Sequence, residues 1–219
     1  MINKGKAAFF DVDETLISGQ TQMFLALTAF EARKIGIFKL LALLFFFVRY
    51  KLGLVSDIKE IMDASYAITE GWKVNEAEML IKKCFDKYLR NKIFLEGKKL
   101  IENLKNRGFK IILVSNTLQQ IVDLLVIELG ADAGVGTTLL EKDGLLIGKI
   151  ERLMYGVNKP KFIQQLFDKQ FDLKESCAYS DNKSDIPLLE MVGYPTAVNP
   201  DKTLKKIAKV NDWPIIYFK

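Results

Sequence analysis

Two aspartates, Asp11 and Asp13, close the apolar run "AAFFDVD" and flank a single valine. Like charges so close repel and raise each other's pKa, so something must offset them. A bound cation would do so, as would a reaction that needs a nucleophile beside a proton carrier. A second acidic pair, Asp181 and Asp185, stands in "YSDNKSD", and between the pairs lie Ser115, Asn116 and Thr117 in "VSNT" and Lys159 in "GVNKP". Carboxylates without histidine or thiolate are hard oxygen ligands, suited to Mg²⁺ rather than zinc or copper. A hydroxyl and an ammonium instead want an anion. Together these groups are what phosphoryl transfer requires. A metal held by Asp11 and Asp181 would join Lys159 in neutralising phosphoryl oxygens while Asp11 attacks in line. Asp13 could protonate the leaving oxygen and later deprotonate a water. Each piece alone has a blander explanation: a D-x-D turn, Ser115 or Asp185 as a helix N-cap, Lys159 as a solvated surface lysine. Their order along the chain is what joins them.

Composition narrows the chemistry further. Histidine is absent from the 219 residues, which removes the commonest general base and metal ligand. Cys84 and Cys177 are far apart, so a zinc site and a disulfide framework are poorly supported, and a reducing cytoplasm is the expected compartment. The N-terminal segment lacks the apolar core and small-residue cleavage site of a signal peptide. The net charge of +5 comes from scattered lysines. Nucleic-acid binding would concentrate them in a stripe, so an anionic small molecule is the expected partner.

These residues need elements to carry them. Residues 7–12, 110–116, 176–182, 194–200 and 213–219 read as short, continuously apolar strands. Such strands belong to a sheet covered on both faces. Helical patterns alternate with them at 95–108, with Leu95, Leu100, Ile101 and Leu104 on one side, at 159–171 with Pro160 at the first helical position, and at 185–193. The alternation predicts a doubly wound α/β fold with a mostly parallel, Rossmann-like sheet. The exception is 135–150, where Asp143-Gly144 between alternating arms predicts a β-hairpin with a type I′ turn. Ligands in such sheets gather at the carboxyl ends of the strands, and every candidate residue falls there.

The roughly 95 residues between the first two strands are too long for one crossover. Residues 18–92 lack proline and read as an inserted, all-helical cap, leaving 1–17 and 93–219 as the core. Within the insert, "IGIFKLLALLFFFVRYKLG" (35–53) has an apolar run, Leu40–Val48, well short of the roughly 20 residues that span a bilayer. An all-round apolar helix is usually buried, so a buried cap helix is the expectation. A lipid-like substrate wall, a membrane-surface contact helped by Arg33, Lys34, Arg49 and Lys51, or a dimer patch are the other readings.

The segments "DVDETLI", "ILVSNT", "GVNKP" and "AYSDNKSDIPLLEMVGYPTAVNPDKTLKKIAKVNDWPII" resemble, in order, the haloacid dehalogenase-like hydrolases, and most nearly their phosphoserine phosphatase-like subfamily (family IB). The resemblance implies that Asp11 is the nucleophile that becomes an aspartyl-phosphate and Asp13 the general acid/base. Ser115, with Asn116 beside it, and Lys159 would bind phosphate, with Lys161 a rival for the lysine. Mg²⁺ would be held by Asp11, the Asp13 backbone carbonyl and Asp181, with Asp185 in support. The insert would be the cap that closes over the site. Gln20 stands where the subfamily has a cap glutamate for the substrate amine, so phosphoserine is expected to be a poor substrate. Glu14, Asn116 and Ser180 also replace the usual Ser, Gly and Gly.

The function expected is therefore Mg²⁺-dependent hydrolysis of a small phosphomonoester, an apolar one included, by a monomer or homodimer. A phospho-accepting receiver-like domain is disfavoured, because receivers place the acidic pair first, the acceptor later, and lack so large an insert. A catalytically silent scaffold is disfavoured because no motif acid is missing.

Overall fold

The structure is a computed structural model that describes residues 4–51, 58–167 and 170–219. Seven strands form one sheet in the order β4-β3-β2-β1-β5-β6-β7, with β1 (Lys6–Phe10) at its centre. β1 pairs in parallel with β2 (Phe109–Leu118) on one side and β5 (Cys177–Ser180) on the other. β3 (Ala133–Lys142) extends the first side, and β6 (Tyr194–Val198) and β7 (Ile215–Ile216) extend the second, all in parallel. Only β4 (Leu145–Arg152) is antiparallel, as the hairpin partner of β3. Asp143 and Gly144 both take positive φ in its turn, the backbone that a type I′ connection needs. The doubly wound sheet expected from the sequence is the one that forms.

Why the strands read as continuous runs is plain from their packing. Ala8 and Phe10 of β1 join Ile111 and Leu113 of β2 in one core, while Ala7 and Phe9 join Ile112 and Val114 in a second core on the other face. Successive side chains point to opposite faces, so two covered faces demand an apolar residue at every position. α6 (Gln119–Leu129), α7 (Asn158–Leu166), the short α8 (Ile186–Glu190) and α9 (Lys202–Val210) accompany the sheet, with α5 (Leu95–Asn106) leading into β2. Two helix details differ from the sequence pattern. Leu95 opens α5 and is 69% exposed, because at 3.6 residues per turn it lies on the opposite side of the helix from Leu104, while Gly97, Ile101 and Leu104 share the buried face. α7 begins at Asn158, so Pro160 sits third, still within the turn whose N–H groups have no helical partner.

Between β1 and β2 the described residues hold α1 (Thr21–Glu31), α2 (Ile37–Lys51), α3 (Ile58–Ala67) and α4 (Val74–Cys84), then a π-turn and a 3₁₀-turn reaching Lys92. The hairpin clasps this insert, since Gly71 and Trp72 exchange backbone hydrogen bonds with Leu146 and the Val74 N–H donates to Gly144 O.

The buried cap helix expected at 35–53 is corrected. Among the described side chains of α2 only Leu40 is buried, whereas Phe38 is 85%, Leu41 52%, Phe45 61% and Val48 52% exposed. The physical reason is position. α2 is an outer helix with one face on α1 and α3 and no described layer beyond it. Residues 52 and 53 lie outside the described residues.

Candidate active site

At the carboxyl end of β1 the chain turns sharply. The Val12 carbonyl accepts from the N–H groups of Leu16 (2.8 Å) and Ile17 (3.0 Å), and Glu14 takes a positive φ of 57° to close the loop. Asp11 ends the strand, and its N–H donates to Tyr179 O of β5 at 3.0 Å. Here the strand order reverses, since the chain goes from β1 to β2 on one side and from β5 to β6 on the other. Such a switch point is where open α/β sheets hold ligands.

Lys159 supplies a cation to one of the two opening aspartates, Asp11. Its side chain is 2% exposed, and Nζ donates to Asp11 Oδ1 at 2.7 Å and to Asp185 Oδ2 at 2.6 Å. Ser180 Oγ donates to the same Asp185 oxygen at 2.7 Å. Lys161 is exposed and points elsewhere, so the two rival lysines differ fully in placement. Burial raises Asp11 to about 6 even against the lowering effect of Lys159. Burial likewise lowers Lys159, but the two carboxylates outweigh it and hold the ammonium charged.

Asp13 has a different setting. Both its oxygens face Thr21, the first residue of α1: the Thr21 N–H donates to Oδ1 at 2.9 Å, and Thr21 Oγ1 donates to Oδ2 at 3.1 Å. Thr21 Oγ1 also lies 2.6 Å from Thr117 Oγ1 of β2, which clamps the helix start to the sheet. Desolvation first, then the charge of Asp11, pushes Asp13 up to about 7. One carboxyl is thus paired with a lysine while its neighbour is poised to carry a proton near neutrality.

Asp181 follows β5 and is buried, with no lysine at hydrogen-bond distance among the described residues. Desolvation, then Asp11, Asp185 and Asp13, push its pKa well above the usual carboxylate range. Asp185 Oδ1 is buried without a hydrogen-bond partner among the described residues. Among the described residues no three acidic or thiol side chains close into a metal cluster. The donors are nonetheless all oxygens, with mutual repulsion and an orphaned carboxylate oxygen. That set has an unmet demand for a hard cation.

Ser115 is buried at the end of β2, its Oγ accepting the Thr117 N–H at 3.2 Å. Asn116 points toward the insert, where its Nδ2 lies 3.7 Å from Met62 Sδ and its Oδ1 is buried without a partner among the described residues. Gln20 and Asn116 help to line a largely apolar cavity of ≈ 190 Å³.

The "VNPD" segment explains itself in space. Asp201 caps α9 through the Thr203 and Leu204 N–H groups, accepts the Lys183 N–H at 2.9 Å, and donates its own N–H to Asp181 O at 2.8 Å. Asn199 donates to Glu14 O at 3.0 Å and so ties down the Asp13 loop. Thr21, Thr117, Asn199 and Asp201 escaped sequence reasoning as positioning residues. The one available signal was a buried-type threonine at a helix start directly after Gly19-Gln20.

Residues 8–190 match the family model for the haloacid dehalogenase-like hydrolases. The chain belongs to that family. Among curated relatives of this haloacid dehalogenase-like hydrolase, an "inhibition of morphological differentiation protein" of Streptomyces azureus is 32% identical over 97% of this chain and 78% of its own length. A "probable phosphatase" of Mycobacterium tuberculosis is 29% identical over 97% of this chain and 75% of its own. A phosphoserine phosphatase solved as a phospho-aspartyl intermediate analogue superposes with a TM-score of 0.74 at 20% identity, covering 99% of this chain and 95% of that one. At that identity the likeness concerns the fold. Among the described residues of this hydrolase no helix is long and apolar enough to cross a membrane.

Proposed function

We propose that the chain is a Mg²⁺-dependent phosphomonoester hydrolase working through an aspartyl-phosphate. The observation that carries this is the buried Lys159 ammonium between Asp11 and Asp185, beside an Asp13 held separately by Thr21. The phosphatase name of the mycobacterial relative agrees with it. Asp11, the Asp13 backbone carbonyl and Asp181 would hold Mg²⁺, with Asp185 behind them. Two side chains and one carbonyl require no cluster of three acids. When bound, the metal supplies positive charge against the phosphoryl oxygens and against the repulsion among the aspartates.

The residues then divide the work. Lys159 and Ser115, with Asn116 beside it, bind the phosphoryl oxygens of the incoming monoester. An Asp11 oxygen attacks phosphorus, the ester P–O bond breaks, and Asp13 gives its proton to the departing oxygen. Asp13, now a carboxylate, takes a proton from a water that attacks the aspartyl-phosphate. Inorganic phosphate leaves and Asp11 is regenerated. Asp13 fits both half-reactions because a group near 7 gives and takes protons with similar ease.

Residues 18–92 act as the cap over this centre, with 1–17 and 93–219 as the core. The test is turnover of an aryl phosphate by the purified protein with Mg²⁺ and in excess chelator. Full activity in chelator would remove the metal from the proposal, and no turnover with Mg²⁺ would remove the hydrolase.

A further inference from the structure

The cavity beside the site runs into the insert, and its wall is unlike the carboxylate end of the sheet. Gln20, Gln22 and Asn116 are among its lining residues, and none of the four site aspartates lies in its wall. Within the lining Gln22 Nε2 lies 3.3 Å from Met62 Sδ and 3.5 Å from Tyr66 Oη. Asp13 is near enough that its charge helps raise the Tyr66 phenol pKa, after burial. One helix therefore links the two places, with Thr21 of α1 on Asp13 and Met23, Leu25, Ala26 and Ala29 of α1 in the wall.

Most of the lining is apolar, with Leu43 and Phe46 from α2, Met62 from α3, Leu118 from the end of β2 and Leu139 from the hairpin, and Ser65, Thr69 and Gln120 are among its polar members. Among the described lining residues none carries a positive charge, and the one carboxylate, Glu141, is exposed on the hairpin. A zwitterionic headgroup such as that of phosphoserine would bury its carboxylate against neutral amides and hydroxyls, with no described cation in the wall to pair it, which is costly. A hydrocarbon chain meets no such cost and gains by leaving water. The inner side of α2 thus has two roles: Leu40, with Leu43 and Leu44 against it, packs into a small core with α1, and Leu43 and Phe46 wall the cavity.

Resting on the phosphatase reading above, we infer that the substrate is a phosphomonoester of an apolar chain, its phosphate at Asp11 and its hydrocarbon in the cavity walled by α1, α2, α3 and the hairpin. The phosphate enters between Lys159 and Ser115, and the first carbons pass Gln20 and Asn116.

The experiment measures kcat/KM on ethyl, butyl, hexyl and octyl phosphate, with phosphoserine and an aryl phosphate alongside. Each added methylene should raise kcat/KM by about three- to fourfold until the cavity is full. Phosphoserine should fall below butyl phosphate. Leu43→Glu, on a half-buried face of α2, should flatten the chain-length slope. A long-chain alkyl phosphate offered in phosphatidylcholine vesicles, against octyl phosphate free in solution, separates a membrane source from a soluble one. Turnover of either supports the inference. A flat slope in the native protein, or phosphoserine as the best substrate, with the aryl phosphate still hydrolysed, overturns it and leaves the phosphatase standing. If nothing is hydrolysed, the phosphatase reading is what fails. Binding then decides the cavity: Trp72, in the wall, should change its fluorescence with octylphosphonate and not with ethylphosphonate, measured in a Trp213→Phe background. Equal response to both would overturn the apolar pocket.

Discussion

The Lys159 ammonium sits 2.7 Å from Asp11 Oδ1 with its side chain 2% exposed, an ion pair that joins α7 to the end of β1 across the sheet edge. Removing one partner of a buried pair leaves the other charge uncompensated, which costs about 3–5 kcal/mol. Lys159→Met should therefore lower stability by that order in chelator, as read from urea melts. Mg²⁺ should restore part of the loss by supplying positive charge to Asp11. An unchanged melt in chelator would mean that Lys159 offsets nothing.

Asp11 and Asp13 should fail differently. Asp11→Asn should abolish turnover and phosphoenzyme together, because an amide neither attacks phosphorus nor ligates Mg²⁺ well. Asp13→Asn should lose roughly 10²–10⁴-fold with alkyl phosphates and less with aryl phosphates, whose leaving groups need no proton. Hydroxylamine-labile phosphate should accumulate on it, since water activation is also lost. Single-turnover mixing with both substrates checks this. Equal losses for the two leaving groups, or labelled phosphate on Asp11→Asn, would show the roles reversed.

Thr21 holds Asp13 through its backbone and its hydroxyl, and Thr21→Val removes only the second. A hydrogen bond to a charged group contributes about 1.5–3 kcal/mol. We expect kcat to fall about ten- to a hundredfold with KM little changed, and Thr21→Ser to recover most of it. The pH profile should shift as well, because the hydroxyl lowers the Asp13 pKa. A loss that Ser does not rescue would point to packing instead.

The pH dependence of stability has a definite sign. Asp11 at about 6 and Asp13 at about 7 bind protons in the folded, metal-free state that the unfolded chain, near 3.9, has already released. Between about pH 4 and 7 the native state thus holds more protons than the unfolded one, so these groups make stability fall as pH rises. The gain from Mg²⁺ should grow over the same range, because ligands must be deprotonated. With no histidine to obscure the window, Tm measured from pH 5 to 8 with and without Mg²⁺ reads this directly. A Mg²⁺ increment that shrinks as pH rises would contradict the assignment.

The sheet and the chemical cast were legible in the chain itself. Two covered faces force continuous apolar strands, so β1, β2, β5 and β6 announced themselves, and a ligand-bearing edge put Asp11, Ser115 and Asp181 at their ends. The Asp143-Gly144 turn was equally local, since only φ and strand twist decide it. What needed the tertiary structure was every choice made by contacts distant in sequence. Lys159 and Lys161 are alike as text, and only the direction each leaves α7 buries one against Asp11 and exposes the other. Thr21, Asn199 and Asp201 act through bonds to loops that folding brings beside them. The α2 stretch was apolar enough to be core. Whether a helix is core depends on what covers it, and here its outer side has no described neighbour while its inner side walls a cavity. Hydrophobic pattern is a property of the chain, but burial is a property of the neighbours, and that is why the fold could be read and the pocket could not.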